Sequence, residues 1–229
     1  MNWQKQVENF LFTKKAPRIL TAQNLFLIAK KYKSNISKRT LERWIQEQIN
    51  SERFDLIKNG VYINNLIYPI VSPLEAIPHI VPDAVVSLQF VLGEFGVMNN
   101  YTDIATCVIP TKTYSPEIKN NSLRFQFNMI SEEILNAGEE KDRLLDDKKY
   151  QMATPEKAFL DMLYLGSLKK SKLTVPPMDC DLDNLKKRRL NRLIKAMNLE
   201  KEFDIWMNKK QLYDNDPNVN ENISVELRF

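Results

Sequence analysis

Arg39, Arg43 and Gln46 stand four and three residues apart in the stretch ISKRTLERWIQEQIN, which begins at Ile36. At about 100° of rotation per residue, that spacing puts two guanidiniums and one amide on one side of a helix. These are chemistries for the edges of paired bases. Arginine takes the O6/N7 edge of guanine bidentately, glutamine the N6/N7 edge of adenine, and the major groove admits a helix. Lys38 and Thr40 flank the stripe as expected phosphate contacts. Lys58-Asn59-Gly60 follows between two short β-prone runs, 54–57 and 61–63. Asn-Gly predicts a two-residue hairpin with a type I′ turn, in which both residues take φ > 0. Lys58 and Asn59 then sit at the tip, where a cation meets phosphate or the minor groove. A charged helix alone is more simply a solvated face. Helix, hairpin and charge together favour a polyanion.

The elements that must hold these residues are legible upstream. Ser37 is a good N-cap, and Leu41, Trp44, Ile45, Gln48 and Ile49 form the opposite, buried side of the helix. Trp3, Val7, Phe10 and Leu11 share one stripe of an expected first helix over 2–12, which Pro17 ends. Thr21 is the expected N-cap of a second helix, 22–31, with Leu25, Phe26, Ile28 and Ala29 inward, and 32–36 form the turn. Helix, turn, helix, hairpin is the order of a winged helix-turn-helix, here residues 1–66.

Charge is segregated along the chain. Residues 1–64 hold 12 Lys+Arg against 5 Asp+Glu, net +7, and residues 65–150 hold 7 against 12, net −5. Residues 151–212 return to +5 (13 against 8), and 213–229 carry −3 (1 against 4). A segment as basic as the first suits a polyanion, where phosphate neutralisation releases counterions. A membrane surface would match the charge, but no free amphipathic helix with a broad apolar face is apparent. No stretch approaches the roughly 18 uncharged apolar residues of a membrane span, and MNWQKQVENF lacks an apolar signal core. The expectation is a soluble cytoplasmic protein. Two cysteines, Cys107 and Cys180, and one histidine, His79, match no zinc spacing, so reduced thiols and no metal or other cofactor are expected.

The expected fold class is α+β, the winged helix-turn-helix being followed by a mixed α/β C-terminal domain. Pro69, Pro73, Pro78 and Pro82 mark residues 67–82 as a connection containing a short helix, 73–77. The second domain spans 83–212. It begins with a helix, 84–95, ended at Gly96, and continues with strands 106–110 and 123–130. The acidic residues of 131–149 read as a solvated surface. Thr154 caps, Pro155 takes the first helical position and Glu156 complements the dipole of a core helix. Packing and capping account for Glu156, Lys157 and Asp161 better than catalysis does. Asp183 is the expected cap of a helix with Leu185, Leu190, Leu193, Ile194 and Met197 inward. Its other sides carry Lys186, Lys187, Arg188, Arg189, Arg192 and Lys195, a candidate partner surface weighed equally against a solvated one. A helix over 199–212 and a polar tail, 213–229, with a short strand at 223–229 or disorder, complete the chain.

Three stretches together resemble the AbiEi family of antitoxin-type transcriptional regulators from bacterial type IV toxin-antitoxin systems. They are the winged helix ending in Lys58-Asn59-Gly60-Val61-Tyr62, the run from Pro82 to Leu88 (PDAVVSL), and Ala153-Thr154-Pro155-Glu156-Lys157-Ala158-Phe159-Leu160-Asp161. The last is the most specific. The resemblance implies an N-terminal domain that binds operator DNA and represses its own operon, and a C-terminal domain that acts as antitoxin to a nucleotidyltransferase toxin. Only the DNA-binding half is also readable from the residues themselves. A monomer or weak dimer, cooperative on an inverted repeat, is the expected binding form.

Two other classes compete. Asp83, Asp103 and Glu132 with Lys141 are ingredients of a metal-dependent nuclease, although 29 acidic residues offer many such sets and no Gly-rich phosphate loop accompanies them. A pure interaction module would use the cationic helix at 186–195 against an acidic protein or RNA.

Overall fold

The computed structural model describes residues 2–99, 102–112, 117–119, 123–139, 142, 149–169, 171 and 173–215. The strand expected at 223–229 and Lys141 of the nuclease set lie outside them. The protein is a mixed α+β chain that divides into two compact units, Met1–Pro82 with Glu117–Arg124, and Asp83–Pro116 with Phe125–Phe229.

The first unit opens with α1 (Trp3–Leu11), β1 (Ile19–Thr21), α2 (Ala22–Tyr32) and α3 (Lys38–Asn50), then the hairpin β2 (Phe54–Lys58) and β3 (Val61–Asn64). Each helix start is built locally. Asn2 and Ser37 accept backbone N–H groups of Gln4 and Thr40, and Thr21 forms a reciprocal capping box with Asn24. Leu11, Leu20, Leu25, Ala29, Leu41, Trp44 and Phe54 meet in one core. Trp44 lies between Trp3 and Phe54, at ring-centroid distances of 5.6 and 5.7 Å, the second pair edge-on. That aromatic stack fixes the rotation of α3.

β1 has no counterpart in the sequence expectation. Its three residues pair antiparallel with β3, Ile19 opposite Ile63, and give a sheet of order β1-β3-β2. The hairpin turn also differs from expectation. Of Asn59 and Gly60 only Gly60 takes a positive φ, 81°, so the turn is not type I′. The ladder instead slips between Leu56 and Lys58, absorbing the twist that a type I′ turn would have supplied. Gly60 O accepts from Ala22 N at 2.8 Å, so the tip is fastened to the start of α2.

Residues 67–82 hold a 3₁₀ turn, Pro73–Ala76, and α4 (Ile77–Ile80). Within the first unit, Arg18, the residue before β1, fastens this segment. Its Nε and Nη2 donate to the two oxygens of buried Glu75, each at 2.7 Å, and its Nη1 and Nη2 reach the carbonyls of Pro69 and Ile70. The Glu75 carboxylate raises the Arg18 pKa further above its ordinary value.

The second unit contains β4 (Val85–Val86), α5 (Leu88–Glu94), β5 (Ile104–Ile109), β7 (Arg124–Met129, all but Arg124), α6 (Glu132–Asn136), β8 (Gln151–Met152), α7 (Pro155–Ser167), α8 (Lys187–Ala196) and α9 (Glu200–Asn215). β6 (Glu117–Lys119) belongs to the first unit, and the strands of the second run β7-β5-β4-β8. The helix expected over 84–95 is in fact a strand and a shorter helix. β4 is antiparallel to β5 and parallel to β8, and Leu88 takes a left-handed φ of 61° where strand turns into helix. Two adjacent β-branched valines satisfy an interior strand, and a short apolar run has no period to distinguish the two.

α7 is the centre of this unit, buried from Pro155 through Leu163. Phe159 meets Trp206 of α9 edge-on at 4.9 Å, and the indole N–H of Trp206 donates to the Pro176 carbonyl. Asp183 does not cap α8. Asp181 caps a 3₁₀ turn, Leu182–Asn184, and α8 starts at Lys187, where the preceding backbone N–H, that of Lys186, donates to Glu156 Oε1 at 2.8 Å. Both cysteines are free and buried. Burial drives the Cys107 thiol far above its ordinary range and pushes Cys180 up to about 12.

Candidate nucleic-acid interface

α3 presents the sequence-predicted residues together. Lys38, Arg39, Thr40, Arg43 and Gln46 are all exposed, while Leu41, Trp44, Ile45 and Gln48 on the other side are buried. Gln48 explains a polar residue in that face. Its amide donates to Glu8 Oε1 at 3.3 Å, Arg53 completes the triangle with Glu8 at 3.2 Å, and α1 is thereby tied to α3. Lys38, Arg39 and Arg43 have no ion pair or hydrogen bond from their side chains among the described residues. Thr40 shares a hydroxyl contact with Ser37 at 2.8 Å, and Gln46 Nε2 donates to Asn50 Oδ1 at 3.0 Å.

Lys58 and Asn59 are exposed at the hairpin tip. Through Gly60 they adjoin the first residue of α2. Sequence reasoning passed over Lys30, Lys31 and Lys33, which end α2 and lead into the turn before α3. With Lys38 and Arg39 they make five cations and no acid in residues 30–39. The signal was available as a local charge run.

The second cationic helix is organised differently. Lys186, Lys187, Arg188 and Lys195 are exposed, but Arg189 and Arg192 turn inward. Arg192 Nη2 donates to both oxygens of Asp142 at 2.9 Å, and Arg189 reaches Asp142 at 3.4 Å and Glu156 at 3.3 Å. Arg192 also pairs with Glu139. Asp142 is wholly buried, which corrects at that one residue the reading of the acidic 131–149 stretch as solvated surface, while Glu132, Glu133 and Glu139 are exposed. Its carbonyl also accepts from Thr154 N, so one residue joins the start of α7 to α8.

A third set has residue types that could do chemistry. Ser87 Oγ donates to Asp161 Oδ2 at 2.7 Å, and Lys157 pairs with Asp161 Oδ1. Each of the three side chains is at most 1% exposed. A nucleophile, a carboxylate and an amine are thus assembled, but they spend their hydrogen bonds on one another inside the core, and no substrate atom can reach them. The arrangement holds two separate stretches together: Ser87 belongs to PDAVVSL, Asp161 to ATPEKAFLD, and Ala153 N also donates to Val86 O at 2.8 Å.

Asp83, Asp103 and Glu132 are exposed single carboxylates, and no group of three His, Cys, Asp or Glu among the described residues could hold a metal ion. No helix of the described residues is long and apolar enough to cross a membrane. Comparison with protein-family models and with curated proteins finds no match to this chain.

Proposed function

We propose that the chain is a sequence-specific DNA-binding transcriptional repressor whose first unit acts as a winged helix-turn-helix. The observation that carries this reading is the face of α3: Arg39 and Arg43 are exposed without a carboxylate partner among the described residues, and the opposite face is locked into the core. The order α1-β1-α2-α3-β2-β3 with a β1-β3-β2 sheet supports it, since that arrangement sets a helix beside a hairpin for groove and backbone. Lys30, Lys31, Lys33 and Lys38 add phosphate contacts, and Lys58 and Asn59 serve the backbone beside the groove. Base discrimination falls to Arg39, Arg43 and Gln46, each good bidentate contact contributing about 1–3 kcal/mol.

The antitoxin role is the second part of the proposal and rests on the resemblance to the AbiEi family alone. The stretch that carries it most specifically, residues 153–161, is buried. Any contact with a nucleotidyltransferase toxin therefore falls on other, exposed residues, among them the surface cations Lys186, Lys187, Arg188 and Lys195. Arg189 and Arg192 support that surface from behind.

A gel-shift titration of the pure chain against the DNA upstream of its own gene, with an unrelated duplex of equal length, tests the repressor reading. Upstream-selective binding is expected. Equal, weak binding to both duplexes would remove it and leave electrostatics alone. Co-expression with a neighbouring nucleotidyltransferase gene tests the antitoxin half, which predicts relief of growth arrest.

A further inference from the structure

We propose that Asn50 is a positioning residue that fixes the amide of Gln46 and so sets base selection by the C-terminal half of α3. This deepens the DNA-binding reading and rests on it. Arg39, Arg43, Gln46 and Asn50 follow one another at steps of four, three and four residues, which confines them to a sector of roughly 60° on the helix. Asn50 therefore continues the reading stripe by one further turn. It is exposed, and its side chain accepts from Gln46 Nε2 through Oδ1 at 3.0 Å. Asparagine is a poor helix former, and this one neither caps α3, whose C-cap is Ser51, nor packs into the core.

The chemistry follows from the donor and acceptor inventory. Gln46 has two amide hydrogens and one carbonyl oxygen, and the bond to Asn50 uses one hydrogen. One N–H and the oxygen remain, the pair that the N7 and N6 edge of adenine requires. A free glutamine loses considerable rotamer freedom on docking, and a partner that holds the side chain beforehand reduces that loss. The same bond keeps the amide from turning over, which would exchange the donor and acceptor positions seen by the base.

The test uses the full chain and a randomised duplex library, followed by binding titrations on the enriched duplex and its single-base-pair variants. Gln46→Ala is expected to flatten the preference at one or two adjacent base pairs. Asn50→Ala flattens it at the same pairs by about three- to tenfold, a part of the discrimination one bidentate contact supplies, with the salt dependence unchanged. Asn50→Asp binds every duplex more weakly, because its charge repels phosphate, yet keeps the preference, because its carboxylate still accepts from Gln46. The double variant Gln46→Ala, Asn50→Ala discriminates no worse than Gln46→Ala alone. If Asn50→Ala selects as the parent does, or alters pairs that Gln46→Ala leaves untouched, the coupling is overturned and the DNA-binding reading survives. A parent chain that enriches no sequence overturns both.

Discussion

On α3, Lys38, Arg39 and Arg43 reach solvent with no carboxylate partner among the described residues, whereas on α8 Arg189 and Arg192 fold back onto Asp142, Glu156 and Glu139. Both helices are dense in positive charge, and both bury their apolar side. The difference is where the carboxylates are. Around α3, Glu8 holds the helix down through Gln48 and Arg53, and Glu42 and Glu47, exposed on α3 itself, form no ion pair with Lys38, Arg39 or Arg43. Around α8, two buried carboxylates draw the arginines in and make them structural. A count of cations on a helix therefore does not tell a binding face from a fastening. What separates these two helices is whether each guanidinium has a carboxylate partner among the described residues.

The largest effect that would sharpen this contrast comes from the buried carboxylates. Asp161→Ala leaves the buried Lys157 ammonium without its partner, and a loss of about 3–5 kcal/mol is expected in denaturant unfolding of the second unit. Asp142→Ala, which leaves Arg189 with Glu156 alone and Arg192 with Glu139 alone, is expected to lose about 3 kcal/mol by the same measurement. If either variant unfolds at the parental midpoint, the fastening role of these carboxylates is broken. Next in size, Arg39→Ala and Arg43→Ala are each expected to cost about 1–3 kcal/mol of discrimination on the selected duplex while stability changes by less than about 0.5 kcal/mol. Ser37→Ala removes the N-cap that starts α3, and a loss of about 1 kcal/mol in thermal unfolding is expected.

A further effect is alkaline. Burial holds the Cys180 thiol neutral up to about 12, above its ordinary 9.0, and Cys107 is shifted in the same direction. A group whose folded pKa is raised contributes its full stability below the unfolded value and loses it as pH rises toward the folded one. Melting temperatures of the parent should therefore fall as pH rises beyond 9.0, and the fall should be shallower in Cys107→Ala, Cys180→Ala. Equal slopes would place the alkaline sensitivity elsewhere.

The first unit was largely legible because its signals are local. Ser37 marks the start of α3, a 3.6-residue period marks its faces, and Asn59-Gly60 marks a hairpin. β1 was not legible, since three residues become a strand only when β3 lies alongside. The turn type failed for a related reason: the slip between Leu56 and Lys58 is a property of the paired ladder and not of the Asn-Gly dipeptide. In the second unit, Val85 and Val86 carried no period, and Asp142 read as solvated and Glu156 only as a complement to the helix dipole, because their partners lie far along the chain. Asp142 meets Arg192 fifty residues on, and Glu156 meets Lys186 N thirty residues on. A longer separation, 74 residues, hid the junction of Ser87 with Asp161. Asn50 was within reach, because continuing the Arg39, Arg43, Gln46 spacing by four residues arrives at it.

The most direct measurement is a salt-dependent binding titration on the upstream duplex, comparing the parent with two double variants, Arg39→Ala, Arg43→Ala and Arg189→Lys, Arg192→Lys, at a temperature where all three are folded. The account predicts that the α3 variant loses selectivity for the upstream duplex and has a shallower salt dependence, while the α8 variant binds as the parent does. Parental affinity and selectivity in the α3 variant would contradict it.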